Sequence, residues 1–250
     1  MAAIHVMEEE EELEISGWDA EAFARQALES RKNLAATIDH TLLRPEATRD
    51  QVVRLCAEAA EHGFACAMVN PVWIALAKSE LSGTRVPIGA VIGFPLGASL
   101  GTTKREEAAA LLKLGVHDVD MVLSLGLLKS GDNHAVQQEI RGVAEVVHDA
   151  GGVVKVILET CLLSVEEKLR AAELAIAAGV DFLKTSTGFS TGGATPEDVA
   201  LLRGVAGGRC GVKASGGIRT IEDARKMLEA GASRIGASAS VAIIQGLQRG

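Results

Sequence analysis

The sequence predicts an α/β fold: a (β/α)8 TIM barrel with a short N-terminal extension. Three observations carry that prediction. At 250 residues the chain has the length of one such barrel. From Leu34 onward, eight short apolar or β-branched runs alternate with helical patterns, which implies parallel strands joined by crossover helices. No G-x-G-x-x-G fingerprint follows the first run, which weakens the open, doubly wound alternative.

Residues 1–30 read as the extension and 31–250 as the barrel domain. Glu8 to Glu12 form an acidic run expected to be solvated. The pattern from Asp19 to Arg31 is helical, with Asp19 as its cap. Strands are expected near 35–39, 64–69, 86–92, 117–123, 153–158, 180–185, 211–214 and 233–236. Helices are expected over Arg49–Glu61, Val72–Leu81, Lys104–Leu114, Asn133–Ala150, Val165–Ala178, Pro196–Val205, Ile221–Ala230 and Ser238–Gln245. Gly63, Gly115, Gly179 and Gly231 supply left-handed helix endings. Asn133, Ser164 and Thr195-Pro196 mark helix starts.

The composition, with 48% hydrophobic and 23% charged residues, suits a globular chain with a large core. A net charge of -8 and an aromatic content of 3% argue against nucleic-acid binding through a basic surface or stacking platform. No apolar run is long enough to span a membrane and no signal peptide opens the chain, so a cytoplasmic location is expected. Cys56, Cys66, Cys161 and Cys210 show no C-x-x-C spacing and read as free thiols. The six histidines form no H-x-H or H-E-x-x-H pattern, so no metal and no other cofactor is expected. His40, after Asp39 at the first strand end, is the one histidine placed near a site, and it reads as structural.

The chemistry centres on Val180 to Gly193, where an apolar run carries Lys184 and opens into Thr185-Ser186-Thr187-Gly188. Taken alone, Lys184 is most simply a strand-terminal lysine that snorkels to solvent. The neighbouring strands change that reading. Side chains alternate along a strand, so Asp118, Asp120 and Val122 share one face. Val153, Lys155, Ile157 and Glu159 share another, as do Phe182, Lys184 and Ser186, and Gly211, Lys213 and Ser215. The apolar sets at 119/121/123 and 154/156/158 suit the outer face beneath the helices, which turns Asp120, Lys155, Lys184 and Lys213 inward.

Unpaired buried charge is costly, and partial pairing still leaves a cation in excess. Converging perturbed groups mark a working site. Two close lysines depress each other's pKa, and a neutral amine can attack a carbonyl to form an imine. Asp120 and the second lysine can then move protons, through water if needed. At the same barrel end, Gly188, Gly216-Gly217 and Gly236-Ala237-Ser238 supply glycine-rich loops and an expected helix start, the elements of a phosphate cradle.

These residues also carry a family resemblance. The stretches I-D-H-T-L-L-R-P at 38–45, V-I-G-F-P-L-G-A at 91–98, V-D-M-V at 119–122, V-K-V-I-L-E-T at 154–160, F-L-K-T-S-T-G-F at 182–189, V-K-A-S-G-G-I-R-T at 212–220 and R-I-G-A-S at 234–238 resemble the deoxyribose-phosphate aldolases. These are class I, Schiff-base aldolases, and the likeness runs from Ile38 to the last helix. It implies reversible retro-aldol cleavage of 2-deoxy-D-ribose 5-phosphate to D-glyceraldehyde 3-phosphate and acetaldehyde, without a cofactor. By the same resemblance Lys184 matches the Schiff-base lysine, Lys213 the lysine that perturbs it, and Asp120 the proton-relay carboxylate. Asp39 and Lys155 match supporting polar positions, and Cys66 lies on the second strand close to them. The phosphate would rest on Gly188, Gly216, Gly217 and the Ser238 helix start.

The chain departs from that pattern in a few places. Ser124 stands where relatives often carry asparagine, Phe189 stands where some carry a lysine beside the phosphate, and no tyrosine is present. The family is expected to form homodimers or homotetramers with small-molecule partners only. Two other readings stand beside this one: a phosphosugar isomerase using an acid/base pair, and a non-catalytic phosphosugar-binding or scaffold protein.

Overall fold

The computed structural model describes residues 18–247, whose eight strands close into a parallel barrel in chain order. The strands are β1 (Ile38–Leu42), β2 (Cys66–Val69), β3 (Ile88–Ile92), β4 (Asp118–Val122), β5 (Val153–Ile157), β6 (Phe182–Lys184), β7 (Gly211–Ser215) and β8 (Arg234–Ala237). The barrel shuts where β8 pairs with β1, Asp39 opposite Gly236. Helices α1 (Ala20–Ala27) and α2 (Arg31–Ala35) precede the barrel. The outer layer holds α3 (Arg49–His62), α4 (Ile74–Glu80), α5 (Gly101–Leu114), α6 (Leu125–Lys129), α7 (Asn133–Asp149), α8 (Val165–Ala177), α9 (Pro196–Ala206), α10 (Ile221–Glu229) and α11 (Ser240–Gly246). No helix among the described residues is long and apolar enough to cross a membrane.

Two apolar layers follow from the strand alternation. Val119, Met121, Val154, Val156, Leu183, Val212 and Ile235 face outward into the main core beneath the helices. Cys66, Met68 and Val91 form a smaller cluster with Leu43 inside the barrel. The interior must also hold long polar chains, and glycines make that room. A Cβ on Gly211 would meet the Phe182 ring at 2.3 Å, and one on Gly236 would meet Lys213 Cε at 3.0 Å.

The structure moves several expected boundaries. The first strand begins at Ile38 rather than 35, because Ser30 caps the unexpected helix α2, its hydroxyl accepting the Asn33 N–H at 3.1 Å. Asp19 caps α1 as expected, accepting the Ala22 N–H at 2.8 Å. Asp132, not Asn133, caps α7, since its carboxylate accepts the Ala135 N–H at 3.1 Å. Helix α11 starts at Ser240, so Ser238 lies on the turn after β8 rather than at a helix start. Gly63, Gly115, Gly179 and Gly231 all have left-handed backbone, and Ser164 and Thr195 cap α8 and α9. All four cysteines are free. The acidic run Glu8–Glu12 lies outside the described residues.

Candidate active site

Strand register gathers the charged residues. Asp120 pairs with Lys155 across β4 and β5, and Lys184 with Lys213 across β6 and β7. Paired residues of parallel strands share a face, so all four point into the barrel. Asp120 is the hub. Its Oδ2 accepts from Lys184 Nζ at 2.8 Å and from Lys213 Nζ at 2.7 Å, and its Oδ1 accepts from Lys155 Nζ at 3.1 Å.

The pairing runs deeper than alternation alone indicated. Lys213 Nζ also donates to Asp39, Lys155 Nζ to Asp118, and Arg234 Nη1 to Asp39 Oδ1 at 3.1 Å. Four cations thus face three carboxylates, and the lysines and carboxylates are all buried. Asp118 and Arg234 were not among the expected site residues. Asp118 shares the Asp120 face one step nearer the barrel floor, and Arg234 opens β8, stacking its guanidinium over the Phe182 ring at 5.5 Å.

Burial and pairing divide the lysines. Burial pushes the Lys184 ammonium down to about 8; Asp120 opposes that shift, and Lys213 adds to it. For Lys155, burial pulls the same way, but Asp120, Asp39 and Asp118 together outweigh it and hold the amine above its usual range. Burial alone would raise Asp120, yet Lys155, Lys184 and Lys213 hold it well below the ordinary carboxylate range. The site therefore offers one amine that deprotonates near neutral pH, a permanent carboxylate beside it, and a cation locked in place.

Cys66 sits among these groups, and burial pushes its thiol well up, helped by Asp118 and Asp39. Asp39, Cys66 and Asp118 bring their ligand atoms within 4.8 Å of one another. That donor set does not fit a cation, because Lys213, Arg234 and Lys155 already neutralise its carboxylates and its sulfur is a protonated thiol. His40 points away from the site. Its Nδ1 lies 3.0 Å from Ser240 Oγ and its Nε2 2.8 Å from Glu58 Oε2, tying β1 to α3 and α11.

Above the cluster opens a cavity of about 320 Å³ lined by Lys184, Gly188, Gly216, Gly217 and Ser238 together with Thr187 and Phe189. The expected glycine loops thus meet the expected lysine at one barrel end. Backbone packs on backbone there: a Cβ on Gly193 would fall 2.3 Å from Gly216 O. Thr185 and Ser186 stitch β6 to β7, with Thr185 Oγ1 donating to Ser215 O at 3.1 Å and Ser215 Oγ to Ser186 O at 2.6 Å. Phe189 meets Phe94 edge-on, ring centroids 5.2 Å apart. Arg44 and Arg219 also line the cavity and bring positive charge that was not singled out in the sequence. Arg219 follows the Gly216-Gly217 turn, and Arg44 stands just beyond β1 before Pro45.

Ser124 belongs to a separate buried network. Lys104 Nζ donates to Val122 O at 2.9 Å, Ser124 Oγ at 3.0 Å and Glu139 Oε1 at 2.8 Å.

Comparison with known proteins places these features in context. The family described as DeoC/LacD family aldolase matches residues 34–248. The chain is 56% identical over 214 residues to a deoxyribose-phosphate aldolase of Bacillus mycoides, covering 85% of this chain and 95% of that protein. It is 54% identical over 220 residues to the deoxyribose-phosphate aldolase of Bacillus cytotoxicus, covering 87% and 97%. Among solved structures, the tetrameric deoxyribose phosphate aldolase from Aeropyrum pernix superposes with a TM-score of 0.83 at 37% identity, covering 91% of this chain and 97% of that one.

Proposed function

Because the chain belongs to the DeoC/LacD family of aldolases, we propose that it cleaves 2-deoxy-D-ribose 5-phosphate reversibly to D-glyceraldehyde 3-phosphate and acetaldehyde, through an imine on Lys184. The observation that carries the reading is Asp120 Oδ2, shared between the Lys184 and Lys213 ammonium groups at 2.8 and 2.7 Å, in a site where burial brings Lys184 down to about 8.

The chemistry follows from those groups. The neutral Lys184 amine attacks C1 of the open-chain aldehyde, and loss of water leaves an iminium. The C3 hydroxyl then gives up its proton, the C2–C3 bond breaks, and its electron pair moves into the iminium to form an enamine. Glyceraldehyde 3-phosphate leaves. A proton returns to C2, and water hydrolyses the acetaldehyde imine to free the lysine. Asp120 and Lys213 move these protons, directly or through water. Lys155, Asp39 and Cys66 frame the relay. Gly188, Gly216, Gly217 and Ser238 hold the phosphate through backbone donors, and Arg44 and Arg219 add positive potential.

The same reading takes small-molecule phosphosugars and aldehydes as partners, with homodimers or homotetramers in the cytoplasm. Borohydride added to a mixture of enzyme and acetaldehyde tests the imine. An ethyl adduct on Lys184, located by peptide mass spectrometry and absent from Lys184→Met together with acetaldehyde release, is expected. Turnover without trapping would favour the isomerase reading. Substrate binding with no turnover in the wild type would favour the scaffold reading.

A further inference from the structure

Among the described residues, one non-glycine side chain sits on left-handed backbone: Glu159, with φ 55° and ψ 61°. Such a conformation is unfavourable for a residue with a Cβ and persists where its surroundings hold it. Alternation along β5 placed Glu159 on the inward face with Lys155, but the left-handed turn breaks that phase. The structure instead buries the carboxylate, 2% exposed, behind the loop that follows Lys184.

Among the described residues Glu159 forms no ion pair. Its oxygens are taken by the loop instead. Oε1 accepts the Thr187 N–H at 3.2 Å and Oε2 accepts the Thr187 hydroxyl. Thr187 Oγ1 in turn accepts the Phe189 N–H at 3.0 Å. The flanking backbone joins the same two segments, with Leu158 N donating to Lys184 O at 2.9 Å and Thr160 N to Thr185 O at 3.0 Å. The amides on both sides of Gly188 are thereby engaged, and Gly188 itself, at φ 82°, lines the cavity. Glu159 does not line that cavity, whereas Thr187, Gly188 and Phe189 do.

We propose that Glu159 is a positioning residue for the anionic end of the substrate, clamping Thr187 so that the Thr187–Phe189 turn keeps the shape that receives the phosphate. This rests on the phosphate reading of the glycine loops given above. A carboxylate in this place would repel a phosphate it touched, but one consumed by two loop donors acts as a fixed brace. The brace would act on phosphate recognition and leave the lysine chemistry alone.

The test compares 2-deoxy-D-ribose 5-phosphate with unphosphorylated 2-deoxy-D-ribose on wild type, Glu159→Gly and Glu159→Gln. Glycine suits the left-handed backbone and removes the brace, and glutamine keeps one acceptor for the Thr187 N–H. For Glu159→Gly, KM for the phosphorylated sugar is expected to rise about tenfold or more, as loss of an organised donor set implies, while kcat and the kcat/KM for the unphosphorylated sugar stay near wild type. Glu159→Gln is expected to fall between the two. Equal losses on both sugars, or no loss on either, would overturn the positioning role. A wild type with no preference for the phosphorylated sugar would instead overturn the phosphate reading beneath it. Should Glu159→Gly melt too low to assay, Glu159→Gln decides on the same comparison.

Discussion

At the scale of single residues, the chemistry turns on one lysine's proton. With Lys184 near 8, about a tenth of the enzyme carries the free amine at pH 7, against about one part in 3,000 for an ordinary lysine at 10.5. That difference raises the population of the attacking amine by over two orders of magnitude, offset in part by the weaker nucleophilicity of a less basic amine. Because the free amine is the active form, kcat/KM is expected to rise with pH and level off above about 8. Asp120→Asn removes the charge that holds the proton on, so the rise should shift to lower pH as turnover falls. A pH–rate profile with its midpoint at 10 or above would contradict the assignment.

The residues behind this prediction were largely legible in the sequence. Alternation alone turned Asp120, Lys155, Lys184 and Lys213 inward. It set Asp118 on the Asp120 face without singling it out, and it left Arg234 unplaced, because Arg234 reaches Asp39 only where barrel closure sets β8 beside β1. It also misread Glu159, since one left-handed residue reverses the phase of everything beyond it.

At the scale of elements, strands and most helices declared themselves through periodicity, while their joints did not. Helix α6 and the late start of α11 occupy loop-like sequence that only tertiary packing orders. The Lys104–Glu139–Ser124 network was invisible for a similar reason. Its members sit on α5, α7 and the β4 exit, and no local pattern reveals that these meet. The network is buried, with Lys104 0% exposed, and burial lowers the lysine's pKa although Glu139 opposes that shift. Lys104→Ala should cost about 3–5 kcal/mol by stranding Glu139, whereas Lys104→Met combined with Glu139→Leu should cost much less. Denaturant melts of the single and double variants measure the difference, and equal losses would refute it.

At the scale of the whole molecule, the net charge of -8 contrasts with a mouth that gathers Arg44, Arg219 and Lys184. An anionic substrate therefore meets local attraction on an otherwise repelling surface. The same end of the barrel bears exposed apolar side chains: Val72 after β2, and Leu96 and Leu100 after β3, at 79%, 74% and 74% exposure. Apolar residues presented this openly suit contact between copies. Sedimentation velocity is expected to show a homodimer or homotetramer, with Leu96→Glu and Leu100→Glu shifting it toward the monomer. A monomeric wild type would refute the assembly.

The contact between Gly193 and Gly216 bears on how this enzyme can change. With no room for a Cβ where Gly193 meets Gly216, neither of these two positions can take a side chain without shifting the other loop. Variation that retunes the substrate will come most freely from the β1 side, where Arg44 stands on an exposed turn. Libraries aimed at new acceptor aldehydes should treat the two glycine loops as one inherited cassette and diversify around them.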